Sequence, residues 1–327
     1  MAVIPPILNS SIAALTDWLE LTAFFSPFSV ARFDAMRGAL IQQLNEPEDD
    51  IGERDRELDD LTNEIENEVI ERTVGCGGGY PFRISDNGEE LILIQNWQVE
   101  QYAPYLVCLL TSHLSRNTLL DFEIEVALVT RLRNRVFQVI SVFAMAGLAS
   151  GSAASVGWPR EGQVSVLDTL RRAQERGAGF EVREQPGQHT PPHEKDGGID
   201  VISWQILDRP PPPILYYGQV ASGHDWENKP VRVHVDVFEP NYLSYPPRGN
   251  KAFVTLIPFR ETEVSDWIND HARHGALLDR TRLPSRALIG MEIARGGQQM
   301  DESANMPQVI EWIANFRNAP LPVAAVA

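Results

Sequence analysis

Apolar and polar positions follow two rhythms along this chain. Over 11–24, Ile12, Leu15, Trp18, Leu19 and Leu21 recur close to helical spacing behind Ser11, which suits an N-cap. Residues 29–44 read as a second helix. Over 46–72, Ile51, Leu58, Leu61, Ile65, Val69 and Ile70 stand mostly three, four or seven apart among Asp and Glu. That spacing predicts a helix from about 54 to 73 with one apolar stripe and one acidic face. The helix stops at Gly75-Cys76-Gly77-Gly78-Gly79, a cap and turn, since no Lys-Ser/Thr follows to make it a phosphate cradle. Segments 82–84 and 90–96 predict a small hairpin around Asp86-Asn87-Gly88, and 102–114 and 122–132 return to helix.

The second rhythm begins after 126–149, where Arg131, Arg133 and Arg135 lead into Val136-Phe137-Gln138 and then a strongly apolar helix. An amphipathic helix is expected at 165–176, with Asp168 early and Arg171, Arg172 and Arg176 late, as the helix dipole prefers. A strand is expected at 179–185. Two runs rich in β-branched and aromatic residues, 199–206 and 214–218, flank Pro210-Pro211-Pro212-Pro213, through which neither strand nor helix can continue. They predict antiparallel neighbours in a central sheet. Segments 231–238 and 251–259 alternate like strands, and 263–275 and 306–316 read as helices. The fold class expected is α+β.

Charge adds a division that periodicity does not show. Of the formal net charge of −17, residues 1–125 carry −16, with 7 Arg, no Lys and 23 acids, and residues 126–327 carry −1. The shift predicts a boundary near 125, with an acidic, mainly helical module and its small hairpin over 1–125 and an α/β domain with a central mixed sheet over 126–327. The acidic face is either solvated, or it mimics nucleic acid or docks a basic partner protein. The second part is Arg-rich and near neutral, compatible with a nucleic-acid partner but not basic enough for tight autonomous binding. The longest apolar stretch, 136–150, contains Gln138 and falls short of the ~20 residues a spanning helix needs. With no basic leader ahead of an apolar core, and only Cys76 and Cys108, a cytoplasmic protein without a membrane partner is expected. His189 and His193 stand four apart, but Pro191 and Pro192 forbid the helix that would aim both at one zinc ion.

Candidate chemistry gathers over 196–229. Asp200, in Gly-Gly-Ile-Asp-Val, begins the first of the two paired strands, and Gln219-Val220-Ala221-Ser222-Gly223 ends the second. Paired strands lie ~5 Å apart, so a carboxylate on one and oxygens on the other can share a hard cation. The same residues read equally as a strand-start carboxylate followed by a strand-to-helix turn.

This pattern resembles the PD-(D/E)xK, or restriction-endonuclease-like, nuclease superfamily. There an Asp on one strand and a (D/E)xK triplet on the next assemble a Mg²⁺ site. More narrowly, Gly218-Gln219-Val220-Ala221-Ser222-Gly223, followed by Trp226 and Lys229, looks like a variant bacterial subgroup found among phage-defence genes. The resemblance covers roughly 130–290. It implies a restriction-endonuclease-like α/β core with Asp200 at the family's Asp, Gln219 at the acid of the triplet, Ala221 at its Lys and Lys229 as a migrated Lys. A helix before the sheet supplies a Glu in the family, from an Arg-x-x-Phe-Glu run. Here Asn134 stands at that Arg, Phe137 is kept and Gln138 replaces the Glu. The implied cofactor is Mg²⁺ (or Mn²⁺), held by Asp200, the Gln219 amide oxygen and a strand carbonyl near Val220, with Lys229 orienting a water. Gln138, Glu194, Asp196 and Ser222 are secondary candidates. A similar Asp-Arg-x-Arg run recurs in the subgroup, so Arg280 and Arg282 are phosphate-binding candidates, or else a salt-bridged helix start. The function implied is metal-dependent phosphodiester hydrolysis, on DNA ahead of RNA, in bacterial anti-phage defence. The alternative is a catalytically decayed nuclease-fold module that binds nucleic acid or a partner protein. Two amides at carboxylate positions imply weaker metal binding, because an amide brings no charge.

Overall fold

The computed structural model describes residues 2–7, 10–43, 51–116, 119–121, 126–157, 160, 164–188, 190, 196–209, 211–223, 225–228, 230–247 and 249–318. β1 (Ala2–Val3) leads to α1 (Ile12–Phe25), whose first turn is capped by Ser11 Oγ accepting from the Ala14 N–H at 3.3 Å. Where one helix is expected over 29–44, the chain forms β2 (Val30–Arg32) and then α2 (Phe33–Ile41). Ser29 takes a left-handed φ of 58°, which no helix continues through, and its carbonyl accepts from Leu93. The acidic helix is α3 (Ile51–Gly75), which buries Leu58, Ile65 and Val69 on one stripe. β3 (Phe82–Ile84) and β4 (Glu90–Leu93) make the expected hairpin, and β2 adds to the free edge of β4 as a third antiparallel strand. Next come α4 (Ala103–Arg116), β5 (Leu120–Asp121), which pairs with β1, and α5 (Val126–Arg131).

A π-helical turn, Leu132–Val136, joins α5 to α6 (Phe137–Ala149). Apolar on every face, α6 is buried along almost its whole length, as such a helix must be. β6 (Gly151–Ser155), α7 (Val166–Glu175), β7 (Glu181–Val182), β8 (Val201–Gln205) and β9 (Ile214–Val220) follow. The chain continues with α8 (Val231–Tyr242), β10 (Leu243–Tyr245), β11 (Asn250–Leu256), α9 (Val264–His274) and β12 (Ala276–Leu278). α10 (Leu283–Arg295) and α11 (Met306–Arg317) close the described chain.

Five strands form one mixed sheet in the order β12-β11-β9-β8-β6. β6, β8 and β9 run antiparallel in sequence, with Val201 opposite Gly218 and Ser155 opposite Val201. β9, β11 and β12 are parallel, joined through α8 and α9. The ends of β6, β9, β11 and β12 and the start of β8 therefore share one edge, the side on which ligands bind open α/β sheets.

Two further expectations are corrected. Residues 231–238 are helical: Val231, Val235, Phe238 and Tyr242 fill one buried face while Val233 and Val237 stay exposed. A Val at every second position also places Val at i and i+4, and parallel β9 and β11 need a crossover, usually a helix. The strand at 179–185 shrinks to β7, which pairs with β10 outside the main sheet. The neighbour of β8 is instead β6, Gly-Ser-Ala-Ala-Ser, whose small residues carry little strand propensity. The apolar core crosses position 125: one buried cluster runs from Leu15 through Leu110, Phe137, Val254 and Ile313 to Phe316.

Candidate functional site

Asp200 immediately precedes β8 and ties together the strand ends at that sheet edge. Its carbonyl accepts from the Val156 and Gly157 N–H groups, both at 2.8 Å, and from Gln138 Nε2 at 2.9 Å. Gln138 Nε2 also reaches Ser155 Oγ at 3.1 Å, so the first turn of α6 is pinned to the end of β6 and the start of β8. On the other side, the Val220 N–H donates to Asp200 Oδ2 at 2.8 Å. Among the described residues nothing donates a hydrogen bond to Oδ1. A Cβ on Gly157 would lie 2.7 Å from that oxygen, so the glycine keeps the space beside it open.

The carboxyl is half-buried. Burial first, and then the like charge of Asp196, push Asp200 up to about 7 against the stabilising Val220 N–H. Asp196 itself accepts from the Gly198 N–H through Oδ1 at 3.0 Å.

Gln219 is buried one residue before Val220, and its Oε1 has no hydrogen-bond partner. Alternation along β9 puts it on the face filled by Leu215 and Tyr217. Its register partner on β11 is Thr255, fully buried, whose Oγ1 is also unpartnered. Leaving a buried acceptor unsatisfied costs about 1–3 kcal/mol, and such groups in a native fold call for an explanation, a bound ion among them. The donors here are hard oxygens: one carboxylate oxygen and one amide oxygen, with a hydroxyl behind.

Of the residues singled out in the sequence, Gln138, Asp200 and Val220 are in direct contact, with Gln219 and Asp196 alongside. The contact Val220 makes to Asp200 is through its N–H. Ser222 is buried just past β9, and Ala221 packs in a small apolar cluster with Trp226, Ile257, Phe259 and Leu277. Glu194, Lys229, His189 and His193 lie outside the described residues.

Arg280, a phosphate-binding candidate, is committed to side chains of the protein itself. It is fully buried, with Nη2 on both Asp17 oxygens at 2.6 and 2.7 Å and Nη1 on Ser112 Oγ at 3.2 Å. Arg282 reaches solvent, but its guanidinium sits 3.0 Å from Asp279 Oδ2 and 3.8 Å from the centre of the Trp267 ring. The second reading of that run, a salt-bridged helix start, fits α10.

Sequence reasoning missed Ser155, Gly157 and Thr255, small residues whose roles depend on strand pairing. It also missed a buried ionic network away from the sheet edge. Arg72 contacts Asp17 at 2.6 Å, Glu20 at 2.9 Å and Glu68 at 2.7 Å, while His113 Nε2 lies 2.8 Å from Asp17. Although burial opposes it, the Arg280 and Arg72 guanidiniums hold Asp17 well below the usual carboxylate range. A signal existed: Asp17 and Glu20 interrupt an otherwise apolar helix.

Among the described residues no three His, Cys, Asp or Glu side chains gather closely enough to hold a metal ion, and no helix is long and apolar enough to cross a membrane. No family model matches the chain, and no curated protein or solved structure is significantly similar to it.

Proposed function

We propose that the chain is a divalent-metal-dependent nuclease of the PD-(D/E)xK, restriction-endonuclease-like kind, hydrolysing phosphodiester bonds with Asp200 as its anchoring carboxylate. One observation carries this reading. Three elements in the expected order, the helix before the sheet, one strand and the next, bring Gln138, Asp200 and Gln219 to a single sheet edge. Anti-phage defence and a preference for DNA are part of the same proposal and rest on the resemblance alone, while a cytoplasmic location rests on the missing leader pattern and the two cysteines.

The residues present fit a weakly held Mg²⁺ or Mn²⁺. Asp200 Oδ1 and Gln219 Oε1 would hold it, because both oxygens are uncommitted and Gly157 leaves room beside the first. Mg²⁺ commonly takes one or two carboxylates and completes its shell with water and substrate phosphate. When bound, such an ion supplies Lewis acidity toward a phosphate oxygen and acidifies water. The chain's own contribution is positional. The Val220 N–H fixes Oδ2 and so presents Oδ1, and Gln138 locks the Asp200 backbone between β6 and α6. With its carboxyl near 7, Asp200 holds a proton part of the time at neutral pH and would give it up on binding a cation.

A second reading, a nuclease fold kept for binding after its site decayed, is favoured by the two amides and by the apolar setting of Ala221. Titration with Mn²⁺, followed by electron paramagnetic resonance, separates the two. The nuclease reading expects one bound Mn²⁺ that Asp200→Asn abolishes and that Gln219→Glu tightens about tenfold, roughly 1.4 kcal/mol for the added charge. No Mn²⁺ binding by the wild type, or binding indifferent to Asp200, supports the decayed module.

A further inference from the structure

Beside the Asp200 edge lies a cleft of about 380 Å³ whose lining includes Ser155, Arg160, Thr169, Arg172, Asp301 and Glu302. It adjoins the candidate centre through shared residues. Ser155 lines the cleft, and its Oγ receives Gln138 Nε2. Val156 donates its N–H to Asp200, while its carbonyl accepts Arg160 Nη1 at 2.6 Å. A second bond from Arg160 Nε to the Val164 carbonyl, at 2.8 Å, fixes that guanidinium in place.

Charge in the cleft is arranged in one direction. Its two carboxylates are each tied to an arginine outside the lining, Asp301 to Arg176 at 3.2 Å and Glu302 to Arg135 at 2.6 Å. Asp301 also accepts the Ser155 N–H at 2.9 Å. Arg172 is therefore not needed to balance them. Arg172 is exposed; among the described residues it has no carboxylate within ion-pair distance, and its guanidinium reaches only Thr169 Oγ1, at 3.4 Å. The cleft thus holds one anchored and one exposed guanidinium beside neutralised acids, in the near-neutral part of the chain. Among the described residues the lining offers no aromatic ring for a base to stack on, which favours a phosphate over a base as its ligand.

We infer that this cleft takes a backbone phosphate of the nucleic-acid strand, beside the phosphodiester presented to Asp200, with Arg172 as the main contact. The inference deepens the nuclease reading and rests on it for the identity of the strand.

Binding of a labelled 12-nucleotide single strand and of the matching duplex, both in EDTA so that no cleavage occurs, tests it across a salt series. Arg172→Ala should weaken binding about three- to tenfold and lower the slope of log K against log salt by about 0.7–0.9, the share of one phosphate contact. Arg172→Lys should restore the slope. Arg171→Ala, on the same helix but held by Asp168 at 2.7 Å, should change little. A loss confined to single strand or to duplex identifies the source of the phosphate and supports the inference. Unchanged affinity in Arg172→Ala, an equal loss in Arg171→Ala, or no binding by the wild type overturns it. Asp200-dependent cleavage is scored separately, so an Arg172 effect without cleavage defeats the nuclease reading and leaves the phosphate site standing.

Discussion

Asp200 combines three demands on one residue: its backbone closes the sheet edge, one oxygen caps Val220, and the other is left free. The consequence is a raised proton affinity, and its effect on stability has a definite sign. The unfolded carboxyl titrates near 3.9, whereas the folded one titrates at about 7. Between those values the native state holds a proton that the unfolded state has released, so stability falls as pH rises through that window. Asp200→Asn, which keeps an acceptor for Val220, should be more stable than wild type at pH 8, by on the order of 1–3 kcal/mol. The difference should vanish near pH 4. Thermal unfolding of both proteins across pH checks this, and a pH-independent difference would mean that Asp200 is not perturbed. At this scale the sequence was partly legible. Asp200, Gln138 and Gln219 were visible as polar residues at the ends of apolar runs, whereas Gly157 and Thr255 had nothing in their local context to mark them.

Elements were more legible where local pattern and tertiary need agree. The β8–β9 hairpin around four prolines formed as expected because no other structure suits that connector. α8 did not, because its alternation fits both periods and the crossover geometry decided between them. β6 was invisible since its small residues are selected by what packs over them. That packing is closest between α6 and α10, where a Cβ on Gly147 would lie 1.9 Å from the Arg286 carbonyl and one on Gly290 would lie 2.0 Å from the Phe143 carbonyl. Both contacts are backbone, so neither neighbour can swing away. Gly147→Ala should cost about 2–4 kcal/mol in chemical denaturation, in the range of severe overpacking. Gly38→Ala, in α2 with nothing within 4 Å of its Cβ, should be neutral or stabilising by up to about 1 kcal/mol. Equal effects at the two sites would contradict the helix–helix geometry. Because α6 also carries Gln138, a loosened α6–α10 contact should displace the Asp200 edge as well.

For the whole molecule, the charge boundary near 125 is real in composition but not in packing. Asp17 and Arg72, from the acidic part, share the buried network with Arg280, from the other, and Arg260 reaches back to Glu68 at 3.2 Å. Removing one side of such a network strands buried charge, which costs about 3–5 kcal/mol for a single broken pair. It also strips the apolar cover from α6 and α10. A fragment of residues 126–327 should therefore fail to reach a native fold, binding a hydrophobic dye and lacking a cooperative melt; a sharp transition in that fragment would show that the two parts fold separately. Charge is countable along a sequence, but a buried ion pair between residues 263 positions apart is not, which is why the division was legible and the weld was not. The site thus depends on the intact chain, and its function is best tested there. The most direct measurement is cleavage of supercoiled plasmid and of single-stranded DNA by the full-length protein in Mg²⁺, Mn²⁺ or EDTA, beside Asp200→Asn shown to melt cooperatively. The account predicts metal-dependent cleavage by the wild type, abolished in EDTA and reduced at least a hundredfold in Asp200→Asn. Cleavage that survives the substitution, or none by the wild type with either metal, would contradict it.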